Sequence, residues 1–194
     1  MAKKGFLYVV AGKLDEATGK YLNGRYMGPT STFNINTTSN DVKDYGDNRT
    51  VETDTSVTGG TVSLEINEMT NESYAYVLGH TFDEEKNLVK CNKDDIAPFL
   101  GIGAVGVSRN AGKDSYTAKA YKKVQFKEPN DENATQQESL TFTHTTVEGN
   151  MFVPEDGNWK DQQTFDTLEA AKAWLNEMFA VTVAESGTGE STEE

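Results

Sequence analysis

Gly101, Gly103 and Gly106 stand in the spacing G-x-G-x-x-G, the first place to look for a nucleotide site. That chemistry needs a helix to begin at once, so that its N-terminal N–H groups receive a pyrophosphate. Here VSRNAGKDSY follows, which reads as a turn, so the glycines mark a tightly packed strand. The adjoining AGKDS is not a phosphate loop: its glycine spacing is one residue out, and Asp114 stands where a metal-binding hydroxyl belongs. His80 and His144 share no metal-ligand spacing and read as surface or core histidines. The pairs Glu84-Glu85 and Asp94-Asp95 lack the spacing of a calcium loop and read as solvated charge. The single cysteine, Cys91, excludes an intrachain disulfide framework and a multi-cysteine zinc site, and reads as a free thiol in a reducing compartment. Asn36 and Asn48 begin Asn-x-Thr sequons that follow from an Asn/Thr-rich composition. No nucleophile stands with a base beside it, so the residues predict no catalysis, no cofactor and no bound metal.

The elements that carry these residues are mostly strands. Seventeen Gly against four Pro, with abundant Thr, Asn and Tyr, fit strands and turns better than a helical bundle. The stretch YGDNRTVETDTSVTGGTVSLEIN, Tyr45 to Asn67, organises the rest. Its first half is polar and acidic and reads as a long exposed loop. Its second half alternates Val62, Leu64 and Ile66 with Thr61, Ser63 and Glu65, the period of a half-buried strand. Phe6 to Val10 is apolar on both faces, as for a strand covered on both sides or lying against another subunit. KLDEATGKYLNGRYMGP reads as turn-rich, and TFDEEKNLVKCNKDD as an exposed charged connection. IAPFLGIGAVGVS, SYTAKAYKKVQF and SLTFTHTTVEG complete the strands; Lys122 falls on the apolar side of the second, which predicts a bulge there. Thr70 and Gly79 bracket a short helix.

The clearest helix is FDTLEAAKAWLNEMF, with Asp166 at its cap, Glu169 three residues later, and Leu168, Ala171, Trp174, Leu175 and Met178 at helical spacing. Residues 1–180 therefore read as one antiparallel β-sandwich or barrel with a packed helix, and 181–194 as a mobile acidic tail. Phe6 to Ala11 is too short for a secretion signal, and no stretch approaches the ~20 apolar residues of a membrane helix. A soluble, cytosolically made chain is expected. With a net charge of −13, a basic grip on nucleic acid is not.

Four stretches in this order resemble the major tail (tail tube) proteins of long-tailed bacteriophages that infect Gram-positive bacteria. They are DNRTVETDTSVTGGTVSLEINEM, DDIAPFLGIGAVGV, YTAKAYKKVQFKEP and TQQESLTFTHTTVEGNMF, and DGNWKDQQTFDTLEAAKAWL adds to the match. The resemblance spans roughly Asp47 to Leu175. It implies a β-sandwich with a flanking helix, assembled into hexameric rings that stack head to tail into a hollow tube. The tube grows from the tail tip in the host cytoplasm around a length-setting tape-measure protein, is closed by a terminator protein, and passes the genome without specific binding. It touches no membrane.

The residues fit that implication at three points. Non-closing contacts need projecting arms, and the acidic loop with Asp47, Asn48, Arg49, Glu52 and Asp54 is one. The N-terminal segment with Phe6, Tyr8 and Val10 is a second candidate, packing against neighbours, and the C-terminal tail is a third. A net-acidic subunit allows an acidic lumen, for which Glu65 and Glu68 are the candidates. Two rivals share these features in part: the tube of a contractile particle on the same fold, and a monomeric cell-surface binding module.

Overall fold

The computed structural model describes residues 2–46, 49–110, 112–129 and 145–182. The described strands are β1 (Ala2–Asp15), β2 (Lys20–Tyr26), β3 (Thr30–Ser39), β4 (Val42–Gly46), β5 (Arg49–Asp54) and β6 (Val57–Ile66). Helix α1 (Asn71–Leu78) leads to β7 (Thr81–Asp83), β8 (Leu88–Lys90), β9 (Leu100–Asn110), β10 (Lys113–Phe126), β11 (Thr145–Phe152), β12 (Lys160–Phe165) and α2 (Leu168–Phe179). The fold is mainly β and antiparallel, as the composition predicts.

One sheet runs β2-β1-β9-β10-β11-β6-β3, with β12 also paired to β10. β10 serves two partners along its length. Tyr116 to Tyr121 pairs with β12, and Val124 to Phe126 with β11. Between them the register against β9 slips, the bulge that Lys122 predicts. Its effect is a change of face: Ala118 and Ala120 lie under α2, whereas Val124 and Phe126 enter the other core. A bulge bends and twists its strand, so here it turns the sheet over onto itself.

Two apolar layers result. The larger lies between the β1-β9-β10 half and the β6-β11 half, where Val9, Leu64, Ile66, Ile102, Phe126 and Met151 meet under α1. The smaller lies on the opposite face of β1, β9 and β10, where Val10, Val105, Ala118 and Ala120 are covered by Ala171, Leu175 and Phe179 of α2. Both faces of β1 and β9 are therefore covered within one subunit, which is why these strands read as unbroken apolar runs.

The helices begin and end where capping chemistry allows. Thr70 accepts the Ser73 N–H, and Gly79 closes α1 in the left-handed region at φ 80°. In α2 the cap is Thr167, whose hydroxyl accepts the Ala170 N–H at 3.3 Å, rather than Asp166. The helix starts one residue later than its acidic pattern suggests, so Glu169 sits too early to complete a capping box. Two stretches that read as connections also pair: Lys20 to Tyr26 forms β2, and the charged segment after α1 holds the short β7–β8 hairpin.

Candidate assembly surfaces

The N-terminal strand is an internal member of the sheet, between β2 and β9. Val10 is completely buried under α2, and Phe6 is half-buried, its ring 6.0 Å from that of Phe33. Tyr8 adopts φ 55°, uncommon for a bulky residue, and the register against β9 shifts between Leu7 and Val10. That irregularity lifts the Tyr8 ring onto Tyr26, with centroids 5.2 Å apart, and lets its hydroxyl donate to Asn176 Oδ1 at 2.7 Å. Leu7 and Tyr26 beside it are 45% and 46% exposed. An apolar patch thus sits at this end of β1.

The acidic loop is a hairpin. β4 pairs with β5 so that Asp44 faces Glu52, Val42 faces Asp54 and Gly46 faces Arg49. Asp47 and Asn48 lie outside the described residues. Its base is closed by Asn40, whose N–H donates to the Ser56 carbonyl at 2.8 Å. The two strands form a sheet of their own, separate from the large one.

The outer face of β3, β6 and β11 has an unusual composition. These strands contain no Lys, Arg or His. Register aligns Thr32 with Glu65 and Thr146, Asn34 with Ser63 and Glu148, and Asn36 with Thr61 and Asn150. Hydroxyls, amides and two carboxylates occupy these positions, with Phe152 at the end of β11 on the same face, while Val62, Leu64 and Ile66 point the other way into the core. Glu65 accepts the Thr32 hydroxyl at 2.7 Å, and Glu148 is exposed. Glu68 lies just past β6 and is exposed as well.

A family model described as phage tail tube protein matches residues 2–186. The chain belongs to that family. It is a structural component of the virion tail, not an enzyme, and no curated protein matched it at a significant level. A tail tube protein works through its surfaces.

The tail tube protein's α2 rests on glycine. A Cβ on Gly101 would lie 2.4 Å from the rings of Phe179 and Tyr21, and one on Gly103 would lie 2.7 Å from Leu175 and Phe179. Gly12 pairs with Gly101, and a Cβ there would meet the Phe179 carbonyl at 2.7 Å. The G-x-G spacing is therefore the seat of a helix, with Gly106 outside it. Of the five helix positions read from periodicity, Ala171 and Leu175 are fully buried, while Leu168, Trp174 and Met178 flank the cluster. Glycine at alternate strand positions was the available signal, since it marks close approach by another backbone or side chain.

His80 joins three segments. Its Nδ1 is 2.8 Å from Asp95 Oδ2 and its Nε2 is 3.0 Å from Glu128 Oε2. The Tyr74 hydroxyl donates to the other oxygen of Glu128. Burial drives the imidazole toward its neutral form, but the two hydrogen bonds and the two carboxylate charges outweigh it and hold the pKa above the usual value. Asp95 is held below the carboxylate range, first by the Asn92 N–H and then by His80. Asp95 is thus a structural anchor, whereas Asp94, Glu84 and Glu85 are exposed. Cys91 is exposed, and His144 lies outside the described residues. Among the described residues, no group of three or more His, Cys, Asp or Glu is placed to hold a metal.

Proposed function

We propose that copies of this chain form hexameric rings that stack head to tail into a hollow tube through which the phage genome enters the host. The observation that carries the lumen assignment is the cation-free outer face of β3, β6 and β11, with Glu65 and Glu148 its only charges. Duplex DNA presents a negative charge about every 1.7 Å and binds where Lys and Arg release its counterions. A wall of hydroxyls, amides and carboxylates offers no such exchange, so DNA passes without sticking. Glu68, at the end of the same sheet, extends the acidic rim.

The other surfaces fall to neighbouring copies. The β4–β5 hairpin, with Arg49, Glu52 and Asp54 on one strand and Asp47 and Asn48 in the sequence between the two strands, reaches the next ring. The patch of Leu7, Tyr8 and Tyr26 packs against a lateral neighbour, since apolar groups exposed side by side are favoured at contacts. Tail-tip, tape-measure and terminator proteins supply the start, the length and the end of growth. The test is electron cryo-microscopy of the purified protein at high concentration, alone and with its tail-tip proteins. Tubes with six subunits per ring and Glu65 and Glu148 facing the bore are expected. A chain that stays monomeric in both conditions, or tubes with that face turned outward, overturns the reading.

A further inference from the structure

We propose that stacked copies meet through the tip of the β9–β10 hairpin of one and a cleft at the far end of β1 in the next. The proposal rests on the tube reading and specifies an axial contact beside the β4–β5 hairpin. It starts from where charge is left uncompensated. The chain carries 31 acidic and 18 basic residues, so a locally basic end is against the trend.

That end is the hairpin tip. Register brings Ala2 beside Arg109, and Lys113 beside Asn110. Lys4 Nζ lies 2.9 Å from Asp114, and Arg109 Nε lies 3.6 Å from the same carboxylate. Lys113 is exposed and forms no ion pair among the described residues. Lys4 and Arg109 share one carboxylate, and Lys113 beside them has none among the described residues. The tip is therefore a small basic plug on the turn between the sheet's central pair of strands.

β1 and β10 both run from this plug to the cleft. At the usual strand rise, Lys4 and Leu14 are separated by about 30 Å. The cleft has a volume of about 440 Å³, with Leu14, Tyr21, Pro154 and Met178 as its apolar wall. Lys122 pairs with Asp161 at 3.0 Å and Lys123 pairs with Glu16, so these four neutralise one another. Glu155 and Asp156 on the rim are exposed and have no cation partner among the described residues. Of the two, Asp156 is felt inside: the Tyr21 phenol is pushed far up, first by burial and then by Asp161 and Asp156. Its hydroxyl is already committed to the Lys122 carbonyl at 2.8 Å.

The cleft suits a Lys or Arg side chain, whose stem lies along the apolar wall while its head reaches the carboxylates. A second copy supplies such groups on the opposite end of the same strands. Contact between unlike ends of identical chains is heterologous and propagates without closing, which is the geometry of a filament. The charges involved are exposed, so their attraction guides encounter and register and weakens with salt.

The test uses the full chain and measures the fraction assembled by sedimentation and negative-stain microscopy. Lys113→Glu and Asp156→Lys are each expected to lower that fraction by about tenfold or more, and the double variant to restore it. The neutral pair Lys113→Gln and Glu155→Gln gives smaller losses, and thermal melting identifies any variant that fails to fold. If wild-type protein forms tubes and the folded single variants assemble equally well, the contact is overturned and the tube reading stands. The same holds if folded single variants lose assembly but the double variant gains nothing. Wild-type protein that remains monomeric even with its tail-tip proteins overturns the tube reading, and the contact with it.

Discussion

At His80 both ring nitrogens face a carboxylate oxygen within hydrogen-bond distance, and a ring that donates from both carries both protons. The side chain is only 7% exposed, so the charge is kept by its partners rather than by water. Its folded pKa lies above the usual value of 6.5. A group raised in this way contributes its full stability below the unfolded pKa, and that contribution is lost as pH rises through the higher folded one. The melting temperature is therefore expected to fall by a few degrees from mildly acidic to mildly alkaline pH, and the His80→Gln variant to show a flatter profile. Parallel profiles for the two proteins would remove His80 as the cause. None of this was legible in the sequence. Asp95 is 15 residues away and Glu128 is 48, and only the fold shows that both end at one imidazole.

At the scale of elements, the alternating apolar residues of β6 and the 3.6-residue period of α2 state which face is buried, so both elements were legible. What periodicity omits is how closely two elements approach. Ala171, Leu175 and Phe179 are fully buried at intervals of one helical turn because Gly12, Gly101 and Gly103 leave room for them. Read alone, Gly101 and Gly103 gave only a packed strand; the Leu175 and Phe179 side chains they seat come from the far end of the chain. The consequence is a sharp contrast within one motif. Gly103→Ala places a Cβ 2.7 Å from Leu175 and Phe179 and 3.0 Å from the Lys119 carbonyl, so overpacking is expected to cost about 1–3 kcal/mol. Gly106→Ala meets nothing closer than 3.6 Å and is expected to change stability by less than about 0.5 kcal/mol. Chemical denaturation of the two variants decides it, and equal losses would mean that the seat is not what selects glycine.

The whole molecule is a two-layered β body with a helix on one side, a polar acidic sheet on the other and a hairpin of its own. The polar segment before Gly59 read as a loop because it has too few apolar residues to show a period; Val42, Tyr45 and Val51 are widely spaced among charges and threonines. It pairs through its backbone all the same, since a hairpin needs only local register. A two-stranded ribbon on its own is marginal in water, and its strands gain most when a partner covers them. On the tube reading proposed above, the ribbon draws its stability from the assembly. Its removal should therefore separate folding from growth. Deleting residues 42–54 and joining Asp41 to Thr55 leaves β3 and β6 paired through the register from Thr30 to Ser39. The shortened chain is expected to melt within a few degrees of the parent and to form no tubes, as judged by calorimetry and negative-stain microscopy. Tubes of ordinary length from a folded deletion variant would show that the ribbon is not an axial arm.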